Sequence, residues 1–72
     1  MKYVVLIERS PANYAAYLPD LPGCSATGAT VDEVTQNIRE AIELHLAGLR
    51  EDDLPIPEPQ AEAGVVEVPA PA

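Results

Sequence analysis

Thr30 to Glu51 reads TVDEVTQNIREAIELHLAGLRE, and the rest of the fold is arranged around it. At 100° per residue, Val31, Val34, Ile38, Ala41, Ile42, His45 and Leu49 fall on one stripe, the signature of a helix with one buried face. Glu33, Gln36, Glu40, Glu43, Ala47, Arg50 and Glu51 occupy the opposite side. Thr30 followed by Glu33 matches a capping box, in which hydroxyl and carboxylate each satisfy a free N–H at the helix start. Asp32 and Glu33 suit the positive end of the helix dipole, and Arg39 with Glu43 makes one i, i+4 pair. Asp52 and Asp53 oppose the negative end and help to stop the helix, so the spacing predicts a helix over 31–51. Leu44 lies off the apolar stripe, next to Glu40, Ala47 and Gly48, which leaves an apolar side chain within an acidic face.

Upstream, residues 3–7 (YVVLI) are too few for a helix and rich in aromatic and β-branched types, which predicts a strand. It is apolar on both faces, with Tyr3, Val5 and Ile7 pointing one way and Val4 and Leu6 the other. Ser10-Pro11-Ala12-Asn13 has turn chemistry, and Tyr14 to Leu18 forms a second, antiparallel strand. Pro19-Asp20-Leu21-Pro22-Gly23 is a rigid turn, with Gly23 supplying a positive φ. Residues 24–28 (CSATG) form a third, weaker strand. Downstream, alternate prolines hold 54–59 extended, residues 65–68 (VVEV) read as a short fourth strand, and 69–72 as a disordered Pro/Ala tail. The predicted class is α+β in the order β-β-β-α-β: a three-stranded antiparallel meander, one helix and a fourth strand parallel to the first. One domain spans 1–68. A single helix covers a single sheet face, so Val4 and Leu6 are left to an oligomer interface, with a second copy of the chain as the covering element.

Composition narrows the function. Seventy-two residues with eight prolines, no Trp, no Phe and three Tyr make a thin core, since a chain this short buries only about 60% of the surface its unfolded form exposes. Twelve acids against four bases give a net charge of −8, which repels nucleic acid and anionic membrane and attracts a basic partner. One cysteine cannot close an internal disulfide, consistent with the reducing cytoplasm. The apolar run at the N-terminus is too short for a signal peptide or a membrane span.

No catalytic set stands out. His45, the single histidine, lies in the helix's apolar stripe and reads as a packed ring. Cys24 has no neighbouring base in sequence to activate it and reads as a structural thiol. Glu8 and Asp20 could approach one another, but a metal-dependent nuclease needs a third converging acid, and zinc needs more ligands than one Cys and one His. The expectation is a protein that is not an enzyme and holds no metal or cofactor. Six acids and no base run from Glu51 to Glu67. The candidate partner-binding residues are therefore Asp20, Glu40, Glu43, Leu44, Glu51, Asp52 and Asp53, placed to steer a cationic protein.

The run Tyr17-Leu18-Pro19-Asp20-Leu21-Pro22-Gly23-Cys24, followed by Gly28-Ala29-Thr30 and then Asn37-Ile38, Glu40-Ala41-Ile42, resembles the HicB-like antitoxin family. Leu49-Arg50-Glu51 and Leu54-Pro55-Ile56-Pro57-Glu58-Pro59 are similar to the family's segment after the helix, so the resemblance covers about residues 2–68. It implies a partial ribonuclease H-like fold. The implied role is to bind and neutralise a small basic mRNA-cleaving, HicA-like toxin, from a protein that forms dimers or tetramers. Many relatives add a C-terminal DNA-binding module, whereas this sequence stops about four residues past its last predicted strand, so direct DNA binding is not expected of it. The alternative is an orphan oligomer without a toxin, with a structural or ligand-binding role.

Overall fold

In the computed structural model, which describes residues 1–71, the chain runs β1 (Leu6–Arg9), β2 (Tyr14–Tyr17), β3 (Ser25–Gly28) and α1 (Val31–Glu51). The strands form one antiparallel sheet in the order β1-β2-β3. Leu6 pairs with Tyr17, Arg9 with Tyr14, Tyr14 with Gly28 and Tyr17 with Ser25. A four-residue loop closes the first hairpin, where the Ser10 N–H donates to the Asn13 carbonyl at 2.8 Å and the Ser10 hydroxyl lies 3.0 Å from Asn13 Oδ1. β1 starts later than the expected 3–7. Extending its register would set Val4 against Pro19, which has no N–H to give, so the ladder stops at Leu6. Tyr3 to Val5 continue the strand's path without a β2 partner.

The helix covers one sheet face. Alternation sends Ile7, Ala16 and Ala26 to the same side, where Ala16 is buried and Ala26, Tyr3, Val5 and Tyr14 pack on the core. Small residues there let the helix come close. An added Cβ on Gly28 would stand 2.5 Å from the Val34 backbone nitrogen and 2.8 Å from its Cα. The helix stands over β2 and β3. At 1.5 Å per residue its 21 residues span about 31 Å, more than twice a four-residue strand. Its C-terminal half therefore overhangs the sheet, and Leu18, Leu21 and Cys24 of the β2–β3 connection complete the core beneath Ile38 and Leu46. Gly23 shapes that connection with φ +85.

Both helix ends are built as the residues require. Thr30 is the N-cap, its hydroxyl accepting from the Glu33 N–H at 3.0 Å, an arrangement worth about 1 kcal/mol. At the other end Asp53 takes φ 53; its N–H reaches the Arg50 carbonyl at 3.2 Å and that of Leu54 reaches Leu49 at 2.9 Å. Two crossed bonds around one left-handed residue make a Schellman cap, with Asp53 standing where glycine is usual. The helix stripe differs from the periodicity in two positions. Leu46 belongs to the core although it lies to one side of the stripe, and Ile56 of the segment after the helix packs against the same core. Val31, at the first turn, is 47% exposed.

The expected fourth strand is not formed. Residues 65–68 make no ladder in the single chain, and Val65, Val66 and Val68 are 99%, 83% and 72% exposed. A strand needs a partner for its backbone groups, and the segment before it is tied elsewhere. The Tyr3 hydroxyl donates to the Pro57 carbonyl. Asp20 Oδ2 accepts the backbone N–H groups of Gln60 and Ala61, each at 3.0 Å. The chain thus crosses the end of the sheet from Tyr3 toward the β2–β3 connection, away from β1. Of the expected tail 69–72, residues 69–71 are exposed without regular structure and Ala72 lies outside the described residues.

Candidate functional site

Two surfaces are open to partners. The first is the outer side of α1. Glu40, Glu43, Leu44, Glu51, Asp52 and Asp53 are all exposed, and Leu44 is 77% exposed. Glu40 and Leu44 stand one turn apart on the side away from the sheet, with Glu51 below them. Gln36 Nε2 donates to Glu40 Oε1 at 3.3 Å, which orients that carboxylate along the helix. Glu43 stands at the rim, where the helix turns toward β1. Asp20, grouped with these acids in the sequence, is apart from them: it is half-buried and its carboxylate latches the returning chain. No sequence signal marks that latch, because its donors lie forty residues on.

The second surface is β1 with its two sides. The outer sheet face carries Val4, Leu6, Glu8, Ala15 and Tyr17 by alternation, and no helix or strand among the described residues covers it; Leu6 is 40% and Tyr17 39% exposed. Tyr17 donates to Glu8 Oε1 at 2.8 Å, a cross-strand pair set by the hairpin register. The carboxylate's acceptance of that bond, its charge and partial desolvation hold the Tyr17 phenol in its neutral form, above its ordinary value. On the inner side, because α1 stands over β2 and β3, a groove of about 310 Å³ separates β1 from the helix, with Tyr3, Val5 and Ile7 on one wall and Ile38, Arg39 and Ile42 on the other.

The chemistry expected of a nuclease is not assembled. Glu8 pairs with Ala15 and is engaged by Tyr17, while Asp20 lies past the opposite end of β1 and β2 and is engaged by Gln60 and Ala61. Among the described residues no group of three or more His, Cys, Asp or Glu is placed to hold a metal ion. Cys24 is free and buried, and burial pushes its thiol up from the ordinary value, the opposite of activation. Among the described residues no helix is long and apolar enough to cross a membrane.

The chain is thus a small α+β meander carrying one amphipathic helix whose outer face is acidic. The family model of the HicB-like antitoxins of bacterial toxin–antitoxin systems matches residues 3–70, and the chain belongs to that family. It is 43% identical over 56 residues to a UPF0150 protein of Synechocystis, covering 76% of this chain and 71% of that one. It is 40% identical over 57 residues to a 14.9 kDa protein from the rep-hol intergenic region of Haemophilus phage HP1, covering 79% of this chain. The chain spans 43% of the length of that phage relative. Among solved structures it is similar to a chain of the HicA3 and HicB3 toxin–antitoxin complex, with a TM-score of 0.71 and 28% identity over 83% of this chain and 70% of that one.

Proposed function

We propose that this protein is the antitoxin half of a toxin–antitoxin pair, and that it neutralises a small, basic, mRNA-cleaving toxin of the HicA type in the cytoplasm. It acts by binding rather than by catalysis and needs no cofactor. The observation that carries the reading is Leu44, an exposed leucine framed by Glu40, Glu43 and Glu51 on the outer side of α1. An apolar side chain ringed by acids matches the apolar centre and charged rim of a protein interface. The acids steer a cationic partner and Leu44 supplies the contact that excludes water. Asp52 and Asp53 extend the negative surface past the helix end, while Asp20 contributes indirectly by fixing the returning chain. Membership of the family and likeness to a chain from a toxin–antitoxin complex support this reading.

The test is co-expression with a small basic toxin of the HicA type. Leu44→Asp alone should lower affinity at least about tenfold, and Glu40→Lys with Glu43→Lys about four- to twenty-five-fold; each should restore toxicity, with the far-ultraviolet circular dichroism unchanged because every substituted residue is exposed. Wild-type binding by both variants rejects the acidic face as the site. A second reading, an assembly with no toxin, is favoured by the uncovered outer sheet face, where Val4 and Leu6 would meet a second copy. Leu6→Lys that leaves the mass in solution unchanged rejects that interface.

A further inference from the structure

The C-terminal valines and the free edge of β1 are two halves of one contact that a single chain does not make. Residues 62–71 extend from the Asp20 latch with every side chain exposed. Within them Val66 and Val68 share one face of an extended strand, and Val65 and Glu67 share the other. β1 is an outside strand, so a row of its N–H and C=O groups is unpaired, and Tyr3 to Val5 prolong that row without any ladder partner. Such an edge accepts an added strand. The groove beside it is walled by Tyr3, Val5, Ile7, Ile38 and Ile42. It lies where the inward side chains of an added strand would fall.

We propose that Val65 to Val68 of one copy of this chain add as a strand along the edge of β1 in a second copy, reciprocally, about a two-fold axis. Val66 and Val68 then close the groove, while Val65 extends the apolar outer face next to Val4 and Leu6, with Glu67 beside it.

Three observations favour a second copy over the other occupants. First, direction: Pro57 is held by Tyr3, and Gln60 and Ala61 are then held by Asp20, so the chain leaves its own sheet heading away from its own β1. Pairing within the chain requires a full reversal after that latch. Second, charge: Lys2, Arg9 and Arg39, three of the four bases in the chain, stand on the β1 segment or the groove wall. Residues 58–71 carry Glu58, Glu62 and Glu67 and no base. Glu8 on β1 and Glu43 on the groove wall offset part of that charge, so the edge keeps a small net attraction for an acidic strand. Third, reach: residues 62–64 span roughly 10 Å when extended, enough to bridge from the latch to an adjoining protomer. A two-fold exchange is self-complementary and buries both tails at once.

The full-length chain is measured at about 100 µM by size exclusion with light scattering, together with Val66→Pro/Val68→Pro, which removes two strand N–H groups from a segment outside the core. The wild type is expected at twice the monomer mass. The double variant is expected as a monomer with unchanged helical dichroism, its dissociation constant raised at least a hundredfold. An isotope-filtered NOE experiment on a mixture of labelled and unlabelled wild-type chains should show intermolecular contacts from residues 65–68 to residues 4–7. A monomeric wild type, a double variant that dimerises as tightly, or contacts confined to one chain would each overturn the exchange. Tail contacts that appear only when the basic partner is added would assign the edge to that partner instead. No arm except that last uses a toxin, so failure here leaves the acidic-face reading standing.

Discussion

Gly28→Ala tests the closeness of helix and sheet. A methyl at Gly28 would sit 2.5 Å from the backbone nitrogen of Val34 and 2.8 Å from its Cα. Neither neighbour is a side chain that can swing aside. Ordinary contact needs a separation of about 3.4 Å, so the first turn of α1 must retreat by roughly 0.9 Å, and Val34 must leave a site where it is fully buried. The Thr30 cap lies in the same turn and its bond to Glu33 is stretched by that retreat. Overpacking against backbone belongs at the upper end of its range, about 2–3 kcal/mol. A chain of this length holds only about 4–10 kcal/mol in total. The expected loss of melting temperature is about 10–20 °C. Urea titration followed at 222 nm measures the loss of free energy and a thermal scan the melting temperature, with Gly48→Ala as the control. That position is in the last turn of the helix with open space around a new Cβ, so the same chemical change should stabilise by about 0.5–1 kcal/mol. A loss below about 0.5 kcal/mol for Gly28→Ala would refute the close approach.

Asp53 holds the left-handed position of the helix cap at φ 53, so Asp53→Gly should relieve strain and a charge at the helix end, raising stability by about 0.5–1 kcal/mol in the same titration. Asp20→Ala should cost about 1–2 kcal/mol by leaving the Gln60 and Ala61 N–H groups without their acceptor, and hydrogen exchange should quicken at those two amides. Burial raises the Cys24 thiol and the Glu8 bond raises the Tyr17 phenol, so folding favours the protonated form of each. The unfolded chain ionises first. Their contribution is complete below about pH 8 and is lost as pH rises through the folded values, so melting temperature should fall from pH 9 upward and fall less in Tyr17→Phe.

Much of the fold was legible because local chemistry and global packing agree in it. The 31–51 helix, its Thr30 cap and the two turns at 10–13 and 19–23 rest on periodicity and on residues whose backbone preferences are strong, and they appear where those rules put them. Leu44 stands off the stripe as its phase requires. The differences arise where distant segments meet. Leu46 is core and Ile56 packs against that core from beyond the helix, a long-range closure that no helical period can report. β1 slides to Leu6–Arg9 because Pro19 and the buried Leu18 end its partner early. Residues 65–68 have strand composition and no strand, since composition describes what a segment can pair with and says nothing of where the Asp20 latch sends it. The acidic helix surface was visible as a pattern of acids around Leu44. The groove beside β1 was not, because it depends on which two strands the helix chooses to cover.

The charges of the chain separate its two proposed associations, and Glu43 is where they meet. Glu40, Leu44 and Glu51 face away from the sheet, whereas Lys2, Arg9 and Arg39 attend β1 and its groove. Glu43 belongs to the acidic face and also lines the groove, one turn from Arg39. It therefore repels an acidic tail while attracting a basic partner. Glu43→Lys should weaken toxin binding and tighten tail exchange, whereas Glu40→Lys should weaken toxin binding alone. Each effect at an exposed site is on the order of 0.5–1 kcal/mol, a change of about two- to fivefold, and should shrink as ionic strength rises and the Debye length shortens. Dissociation constants for self-association and for the toxin, measured at two salt concentrations for both variants, decide it. If Glu43→Lys loosens the dimer, or if Glu40→Lys moves both constants alike, the tail does not pass Glu43 and the strand exchange is wrong as drawn.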